Sequence, residues 1–392
     1  MKIGEMHRQV GILASAQGLF QTVSVMVMTI GGLAGAQVSD NPLLATLPIA
    51  SMFLGTALCM FPASWVMARV GRRNGFLLGA GLGMIGGLTA AMGIWVSKLA
   101  LLATGTFFIG AYQAFAQFYR FAASELANPA FRPKAIALVL TGGIVAALLG
   151  PELTRLGAQL PGPGYFAAFA LLAAIALLAF IVLLYLKMPK SELTATRQES
   201  ARPWHVIVLQ PRYLVALIGA TTGYGVMILA MTATPLAMIE HHHSFASAAG
   251  VIQLHVLAMF LPSFITGSLI ARFGSLRLMM AGIVLLALHV ACTATGTGLT
   301  SFASALVLLG VGWNFLFIGG TSLLTTTYSP AEQSRAQATN DLVIFIVGLA
   351  CSFGAGGLLS LLGWQKMNGL LLPWLALTGI FILCYWLKAG KQ

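Results

Sequence analysis

Charged side chains are scarce in this chain. Only 8% of its 392 residues are Asp, Glu, Lys or Arg, and nine acidic residues stand against 21 Lys and Arg. A soluble domain of this length exposes many more charged groups, which make up about a quarter of an average globular sequence. The scarcity therefore excludes an ordinary soluble domain, and the 58% share of hydrophobic residues indicates a membrane protein.

Cysteines and catalytic motifs are also few. The four cysteines all fall within long apolar runs, which argues against structural disulfides: Cys59, Cys292, Cys351 and Cys384. The sequence has no phosphate-binding glycine loop followed by Lys, no nucleotide signature and no hydrolase constellation. We therefore expect neither an enzyme nor a bound cofactor.

Apolar windows of about 20 residues recur along the whole chain, and each is long enough to cross about 30 Å of hydrocarbon. We find twelve of them, near 9–32, 43–67, 74–96, 98–121, 135–158, 164–187, 213–238, 248–271, 276–297, 300–323, 336–361 and 367–389. The sequence thus predicts an all-α membrane protein with twelve transmembrane helices, embedded in a lipid bilayer.

The net charge of +12 reflects topology. Most basic residues fall in loops on one side of the predicted spans, and Lys98, Arg155 and Lys366 are the ones left on the other side. Loops rich in Lys and Arg stay in the cytoplasm. We therefore expect a protein of the bacterial inner membrane with both termini in the cytoplasm. Because topology explains the basic charge, we expect no nucleic-acid partner.

A sequence repeat shows that the chain is a duplicated unit. The segment Ala-Arg-Val-Gly-Arg-Arg at 68–73 recurs in similar form as Ala-Arg-Phe-Gly-Ser-Leu-Arg at 271–277, at an offset of 203 residues. The same offset relates Arg132 to Arg335. Duplicated halves are typical of secondary transporters. We predict two six-helix bundles, at 1–187 and 213–392, joined by a cytoplasmic linker at 188–212.

The repeated loop resembles the signature of the major facilitator superfamily, although Ser64, Ala68 and Ala271 replace residues that are usually Gly or Asp there. This resemblance implies the major facilitator fold, with two pseudo-symmetric bundles working by alternating access. We also expect the protein to act as a monomer. It also implies that the first, fourth, seventh and tenth spans line a central cavity. Gly150-Pro151 resembles a motif of proton antiporters, and small residues of this kind also serve helix packing.

Two adjacent spans carry soft metal-binding side chains. Met227 and Met231 are four residues apart, as are His255 and Met259, so each pair shares one face of a helix. In an antiparallel hairpin the residue numbers place Met231 level with His255 and Met227 level with Met259. Thioethers and an imidazole suit Cu(I) better than hard ions, and a histidine inside a membrane indicates a functional site. Methionine also fills apolar gaps, so a packing role stays open.

The spacing of these pairs resembles that of the CcoA-like bacterial copper importers, mainly over residues 223–275. The resemblance implies copper uptake, delivery to a cytoplasmic copper acceptor, and supply of copper to assembly of cbb3-type cytochrome oxidases. Relatives within that subfamily carry riboflavin, so the resemblance does not by itself fix the substrate.

Several further residues are candidate accessory ligands. Met238 and the run His241, His242 and His243 lie at the outer end of the seventh span, where imidazoles could collect copper. Met28, in the first span, and Cys59, in the second, are placed near the cavity by the repeat. A packing role is the competing interpretation for both.

The charged candidates for gating and coupling are Arg69, Arg72, Glu152, Arg272, Arg335 and Asp341. Asp341 is expected to pair with Arg335 as a cytoplasmic latch, and Glu152 is a candidate proton carrier because it lies inside a predicted span. Arg120 and Glu125 are expected to form a gate pair.

Three other functions remain open at this point. Uptake of riboflavin or a similar organic molecule would make Met227 and Met231 an apolar wall and His255 a hydrogen-bond donor. Proton-driven multidrug efflux would fit Gly150-Pro151 and the lack of internal charge. A copper sensor that does not transport would need a soluble output domain, which the sequence lacks.

Overall fold

The computed structural model describes residues 3–127, 135, 138–139, 141–188, 202–329 and 332–389. Within these ranges the chain is helical and contains no strand. It divides into two compact units, Met1–Leu193 and Thr194–Gln392. The predicted linker at 188–212 lies mostly outside the described residues.

The first unit is built from seven described α-helices and one short 3₁₀ turn, Pro42–Leu44. The helices are α1 (Ile3–Val38), α2 (Leu47–Val70), α3 (Arg72–Trp95), α4 (Leu99–Ala116), α5 (Tyr119–Leu126), α6 (Gly142–Gln159) and α7 (Phe166–Leu184). Its core includes edge-to-face ring contacts, at 5.2 Å between Phe20 and Tyr112 and 4.7 Å between Phe76 and Tyr119.

The second unit contains α8 (Trp204–Val208), α9 (Pro211–Glu240), α10 (Phe245–Phe260), α11 (Ser263–Phe273), α12 (Ser275–Ala294), α13 (Leu299–Leu324), α14 (Gln333–Gly369) and α15 (Leu371–Ala389). Two irregularities interrupt it. The predicted eighth span is broken into α10 and α11 at Leu261-Pro262, because Pro lacks the N–H that would continue the helix. Helix α14 bends at Gly363, whose φ is 73°.

Each of the twelve predicted spans overlaps at least one helix. Ten described stretches are long and apolar enough to cross a membrane by length and composition, and one of these, Arg335–Lys388, holds both of the last two predicted spans. The predicted fifth span is represented by α6, which is 18 residues long, carries Glu152 and Arg155, and is not among the ten.

Small residues bring the helices of each unit close together. A Cβ on Gly55 would collide with the carbonyl oxygen of Phe107, and one on Gly110 with that of Met52, so α2 and α4 meet backbone to backbone. In the second unit α9 packs against α13 and α14, and α10 packs against α13. This places the predicted seventh, eighth and tenth spans around one interior region.

Candidate functional site

The four predicted metal ligands all lie in the interior of the second unit. Met227, Met231 and Met259 are 3%, 4% and 7% exposed, and His255 is fully buried. Helices α9 and α10, which carry the two pairs, contact one another. The predicted metal site requires these two helices to be in contact. Convergence of the four donors on one ion stays a prediction.

A close helix contact fixes the position of His255. Gly310 on α13 faces the backbone of α10, where a Cβ would lie 2.7 Å from the carbonyl oxygen of His255. Because the two backbones approach so closely, the His255 ring reaches the carbonyl oxygen of Leu306, 2.8 Å from Nδ1. A carbonyl only accepts, so Nδ1 carries the proton and donates it.

This hydrogen bond determines what the other ring nitrogen can do. In neutral His255 with the proton on Nδ1, Nε2 is an acceptor that presents a lone pair. Nε2 is buried and has no hydrogen-bond partner within the described chain. The expectation that His255 acts as a donor toward an organic substrate is therefore corrected: the neutral side chain accepts a hydrogen bond at Nε2.

The break between α10 and α11 is held by a buried amide on α13. Asn314 donates from Nδ2 to the carbonyl oxygen of Met259 at 2.7 Å and to Oγ of Ser263 at 2.8 Å. Its Oδ1 accepts from Oγ1 of Thr266 at 2.7 Å. The backbone carbonyl of Met259, at the break between the two helices, thus accepts a hydrogen bond from a side chain of α13. Discontinuous helices of this kind often mark the substrate site of a secondary transporter.

Aromatic rings from four helices form a continuous group in the same unit, which we call the aromatic cluster: Tyr224, Phe260, Trp313, Phe317 and Phe345. Trp313 and Phe317 stack at 4.9 Å and 13°, and Phe260 meets Trp313 edge-on at 6.0 Å. Tyr224 contacts Phe317 at 6.1 Å and Phe345 at 6.0 Å. Such a cluster offers large apolar faces to a flat ligand.

The same unit contains buried polar atoms without a hydrogen-bond partner among the described residues. Nε1 of Trp313 and Oγ1 of Thr232 are buried and, like Nε2 of His255, have no hydrogen-bond partner within the described chain. Buried polar atoms are usually satisfied, and each exception calls for an explanation. Among the described residues Trp313 thus offers a donor, His255 an acceptor and Thr232 a hydroxyl, and their convergence on one ligand stays a prediction.

A second buried histidine contacts the same helix. His289 on α12 lies 2.9 Å from the carbonyl oxygen of Ala305 through Nδ1, and 3.1 Å from Oδ1 of Asn368 through Nε2. The two imidazoles therefore bond consecutive carbonyls of α13. Unlike His255, His289 uses both ring nitrogens within the protein, so it is a structural residue of the helix bundle.

The outer histidine run is divided among different environments. His241 and His242 are exposed, and His242 has a φ of 62° at the end of α9. His243 bonds the carbonyl oxygen of Thr297 at 2.7 Å through Nε2 and contacts the ring of Phe302. Over the described residues, no group of three or more His, Cys, Asp or Glu is placed to hold a metal ion.

The remaining accessory candidates lie in packed positions. Met28 and Met238 are buried, on α1 and α9. Cys59 on α2 is half-buried and packs against the core of the first unit. These positions are those expected of packing residues, and a role in binding metal stays a prediction for all three.

Two charged candidates of the first unit, Arg72 and Glu152, lie in ion pairs. Glu125 is held by Arg72, which donates from Nε at 2.6 Å and also from Nη2, whereas the sequence suggested Arg120 as its partner. Glu152 pairs with Arg155 on its own helix at 2.6 Å. Both side chains of this pair are partly exposed, and the role of Glu152 as a proton carrier stays a prediction.

Arg202 and Glu332 form an ion pair near the predicted Arg335–Asp341 latch, which stays a prediction. Glu332 accepts from Nε and Nη2 of Arg202 at 2.8 and 2.7 Å, and from the backbone N–H of Ser329 at 2.9 Å. Arg335 is exposed, and Asp341 accepts from the side chain of its neighbour Asn340 at 3.1 Å. Arg69 and Arg272 lie over aromatic rings, those of Trp65 and Phe273.

Sequence reasoning missed Asn314, Trp313 and Phe317. Asn314 had a detectable signal, because a polar amide inside an apolar span indicates function. Trp313 and Phe317 are four residues apart and lie on one face of the helix, a spacing that is common in apolar spans. Only the structure, in which the two rings stack, distinguishes this pair from ordinary packing residues.

Comparison with known proteins decides the family. Residues 10–262 match the family model described as Major Facilitator Superfamily. The riboflavin transporter RfnT of Brucella anthropi is 39% identical over 376 residues, which cover 95% of this chain and 94% of the relative. The chain belongs to the major facilitator superfamily. It is a membrane transporter, not an enzyme.

Other relatives agree with this membership. An uncharacterised major facilitator transporter of Bacillus subtilis, YdeG, is 30% identical over 85% of this chain and 80% of its own. Among solved structures, a bacterial homologue of the human lysosomal transporter Spinster superposes with a TM-score of 0.75 at 13% identity, covering 97% of both chains. The predicted all-α major facilitator fold is confirmed. The narrower resemblance to copper importers finds no support in these relatives.

Proposed function

We propose that this transporter takes up riboflavin or a closely similar flat heteroaromatic molecule into a bacterial cytoplasm by alternating access. The observation that carries the proposal is the 39% identity to a riboflavin transporter along nearly the full length of both chains. Copper import, the first interpretation of the Met and His pairs, has no comparable support.

The chemistry of the second unit suits such a cargo. An isoalloxazine ring is planar and aromatic, with an imide N–H and two carbonyls at one end and a hydroxylated chain at the centre. The aromatic cluster supplies faces for stacking, and Nε2 of His255 can accept from the imide or from a hydroxyl. Nε1 of Trp313 can donate to a carbonyl. The buried methionines then form an adaptable apolar wall.

Parallel uptake measurements test the proposal. Cells that lack their own riboflavin uptake receive the wild-type chain, the double variant Met227→Leu/Met231→Leu, or His255→Ala, and accumulation of labelled riboflavin and of labelled copper is measured. Leucine keeps the volume of methionine and removes the sulfur, so riboflavin uptake by the double variant stays within about two-fold of wild type. Loss of the buried acceptor in His255→Ala costs about 1–3 kcal/mol of binding, roughly 5–150-fold in apparent affinity.

The copper and efflux interpretations give opposite results in this experiment. Copper import predicts copper accumulation that disappears when both methionines become leucine, with no riboflavin uptake. Efflux predicts no cellular accumulation of riboflavin and proton-driven drug uptake by inside-out vesicles. Either pattern would refute riboflavin uptake.

A further inference from the structure

A cavity of about 500 Å³ opens at the end of the second unit where α9 and α12 begin and α13 and α15 end. Two arginines, Arg212 and Arg277, lie in its lining together with Tyr385 and Trp386. Among the residues that the structure describes, none that lines the cavity is acidic. The described wall of the cavity therefore carries two positive charges and no carboxylate to neutralise them.

The turn between α11 and α12 adds further hydrogen-bond donors. Gly274, with φ of 83°, starts α12, a helix of 20 residues whose first turn has neither a side-chain cap nor an acidic residue. Ser275 and Leu276, both in the cavity wall, belong to that first turn. The backbone N–H groups of a first helical turn have no partner within the helix and attract anions.

One of the two guanidinium groups is already oriented. The Cζ of Arg277 lies over the ring of Trp386, 5.5 Å from its centre, and this stacking limits the freedom of the side chain. An oriented guanidinium beside a second one is a suitable receptor for a phosphate group, which accepts several charge-assisted hydrogen bonds at once.

The surroundings of the cavity favour a lipid as the source of this phosphate. Phe273 in the wall is exposed, as are Ile380, Leu383 and Leu387 on α15. Tyr and Trp concentrate at the level of lipid headgroups, which is where the ends of these helices are expected. A headgroup in the cavity would leave its acyl chains free to follow the apolar side chains of α15.

We propose that this cavity binds the phosphate of an anionic phospholipid, with Arg212 and Arg277 as its ligands. Zwitterionic lipids bind the cavity more weakly, because the ammonium group of their headgroup offsets the charge of the phosphate. The site is separate from the proposed riboflavin site, and its test does not depend on transport.

The test measures lipid binding to the full-length protein in detergent. Phosphatidylglycerol, phosphatidylcholine and inorganic phosphate are titrated separately, and bound lipid is counted by native mass spectrometry while the unfolding temperature is followed. Phosphatidylglycerol binds wild type more tightly than phosphatidylcholine does, and inorganic phosphate gives no comparable stabilisation. In Arg212→Gln/Arg277→Gln the apparent affinity for phosphatidylglycerol falls about 30-fold, from the loss of two basic contacts near the surface.

Two control variants separate the site from general surface charge and from misfolding. Arg69→Gln/Arg73→Gln removes the same charge from the matching loop of the first unit and keeps wild-type lipid affinity. Arg212→Lys/Arg277→Lys retains the charge and most of the lipid binding. If the Gln variant is unstable, a folded Lys variant still tests whether the two positive charges bind the lipid. Equal loss in the Arg69/Arg73 control, unchanged binding in the Gln variant, loss of binding in a folded Lys variant, or equal stabilisation by inorganic phosphate would each overturn the assignment.

Discussion

At the scale of single residues, His255 shows how one hydrogen bond assigns a chemical role. From the sequence, a membrane-embedded His followed four residues later by Met could be a metal ligand, a donor or an acceptor. The bond from Nδ1 to the carbonyl oxygen of Leu306 leaves Nε2 as the acceptor. The lone pair suits either a substrate N–H or a soft metal, and similarity to a riboflavin transporter favours the substrate.

The ion pair of Arg202 and Glu332 leads to a prediction about pH. The guanidinium of Arg202, with the N–H of Ser329, holds the pKa of the buried Glu332 carboxyl well below its usual range. A group with a depressed folded-state pKa contributes stability above its unfolded pKa, about 4.3 for Glu, and loses it as the pH falls toward the folded value.

Glu332→Gln therefore lowers the unfolding temperature at neutral pH, and the difference from wild type holds from about pH 8 to about pH 5.5, then shrinks below about pH 4. Thermal unfolding in detergent at several pH values measures this difference. Arg202→Gln serves as the matched variant, because it removes the other partner and follows the same profile. A difference that grew toward acid pH would show that this ion pair does not stabilise the fold.

At the scale of elements, the broken helix and its partner α13 organise the site. Pro262 interrupts the predicted eighth span, and Asn314 on α13 donates to the carbonyl oxygen of Met259 close to the break. Both residues are visible in the sequence, but their relation is not. Only the packing of α10 and α11 against α13 brings an amide 55 residues away to that carbonyl.

Gly310 provides the test of this arrangement. A methyl group at Gly310 pushes α10 away from α13, because its Cβ would lie 2.7 Å from the His255 carbonyl oxygen. We expect Gly310→Ala to destabilise the protein by about 1–3 kcal/mol and to reduce the proposed riboflavin uptake by displacing the His255 ring. Thermal unfolding and uptake assays measure the two effects.

Gly267→Ala is the matched control for that variant. Gly267 lies in α11, and a Cβ there meets nothing within 4 Å, so the substitution is neutral or stabilises by about 0.4–1 kcal/mol through reduced freedom of the unfolded chain. If both variants behaved alike, the close contact between α10 and α13 would not be what holds His255 in place.

At the scale of the whole molecule, the charge distribution predicts the orientation in the membrane. Most Lys and Arg lie in loops on one side of the predicted spans, and this asymmetry predicts that both termini are cytoplasmic. A fluorescent protein fused after Lys388 should then fluoresce, and alkaline phosphatase at the same position should be inactive. Phosphatase inserted at His242, in a predicted outer loop, should be active. The reverse pattern would invert the topology.

The sequence by itself determined the membrane class, the α-helical fold and the superfamily. The lengths of the apolar segments, the charges of the loops and the repeat at an offset of 203 residues can all be read directly from the sequence. Apolar segments of this length predict helices because a helix satisfies its own backbone hydrogen bonds in lipid. The Met and His pairs were also visible, but two helical pairs cannot distinguish a metal site from a packed wall, because both require buried side chains at the same spacing.

Tertiary structure decided which atoms remain available for binding. The carbonyl oxygen of Leu306 binds Nδ1 of His255, and the amide of Asn314 binds the carbonyl oxygen of Met259. Nε2 of His255 and Nε1 of Trp313 have no hydrogen-bond partner among the residues that the structure describes. Likewise, Glu125 meets Arg72 across 53 positions of the chain. Such pairings depend on which helices pack together, and a local pattern of residues carries no information about a partner on another helix.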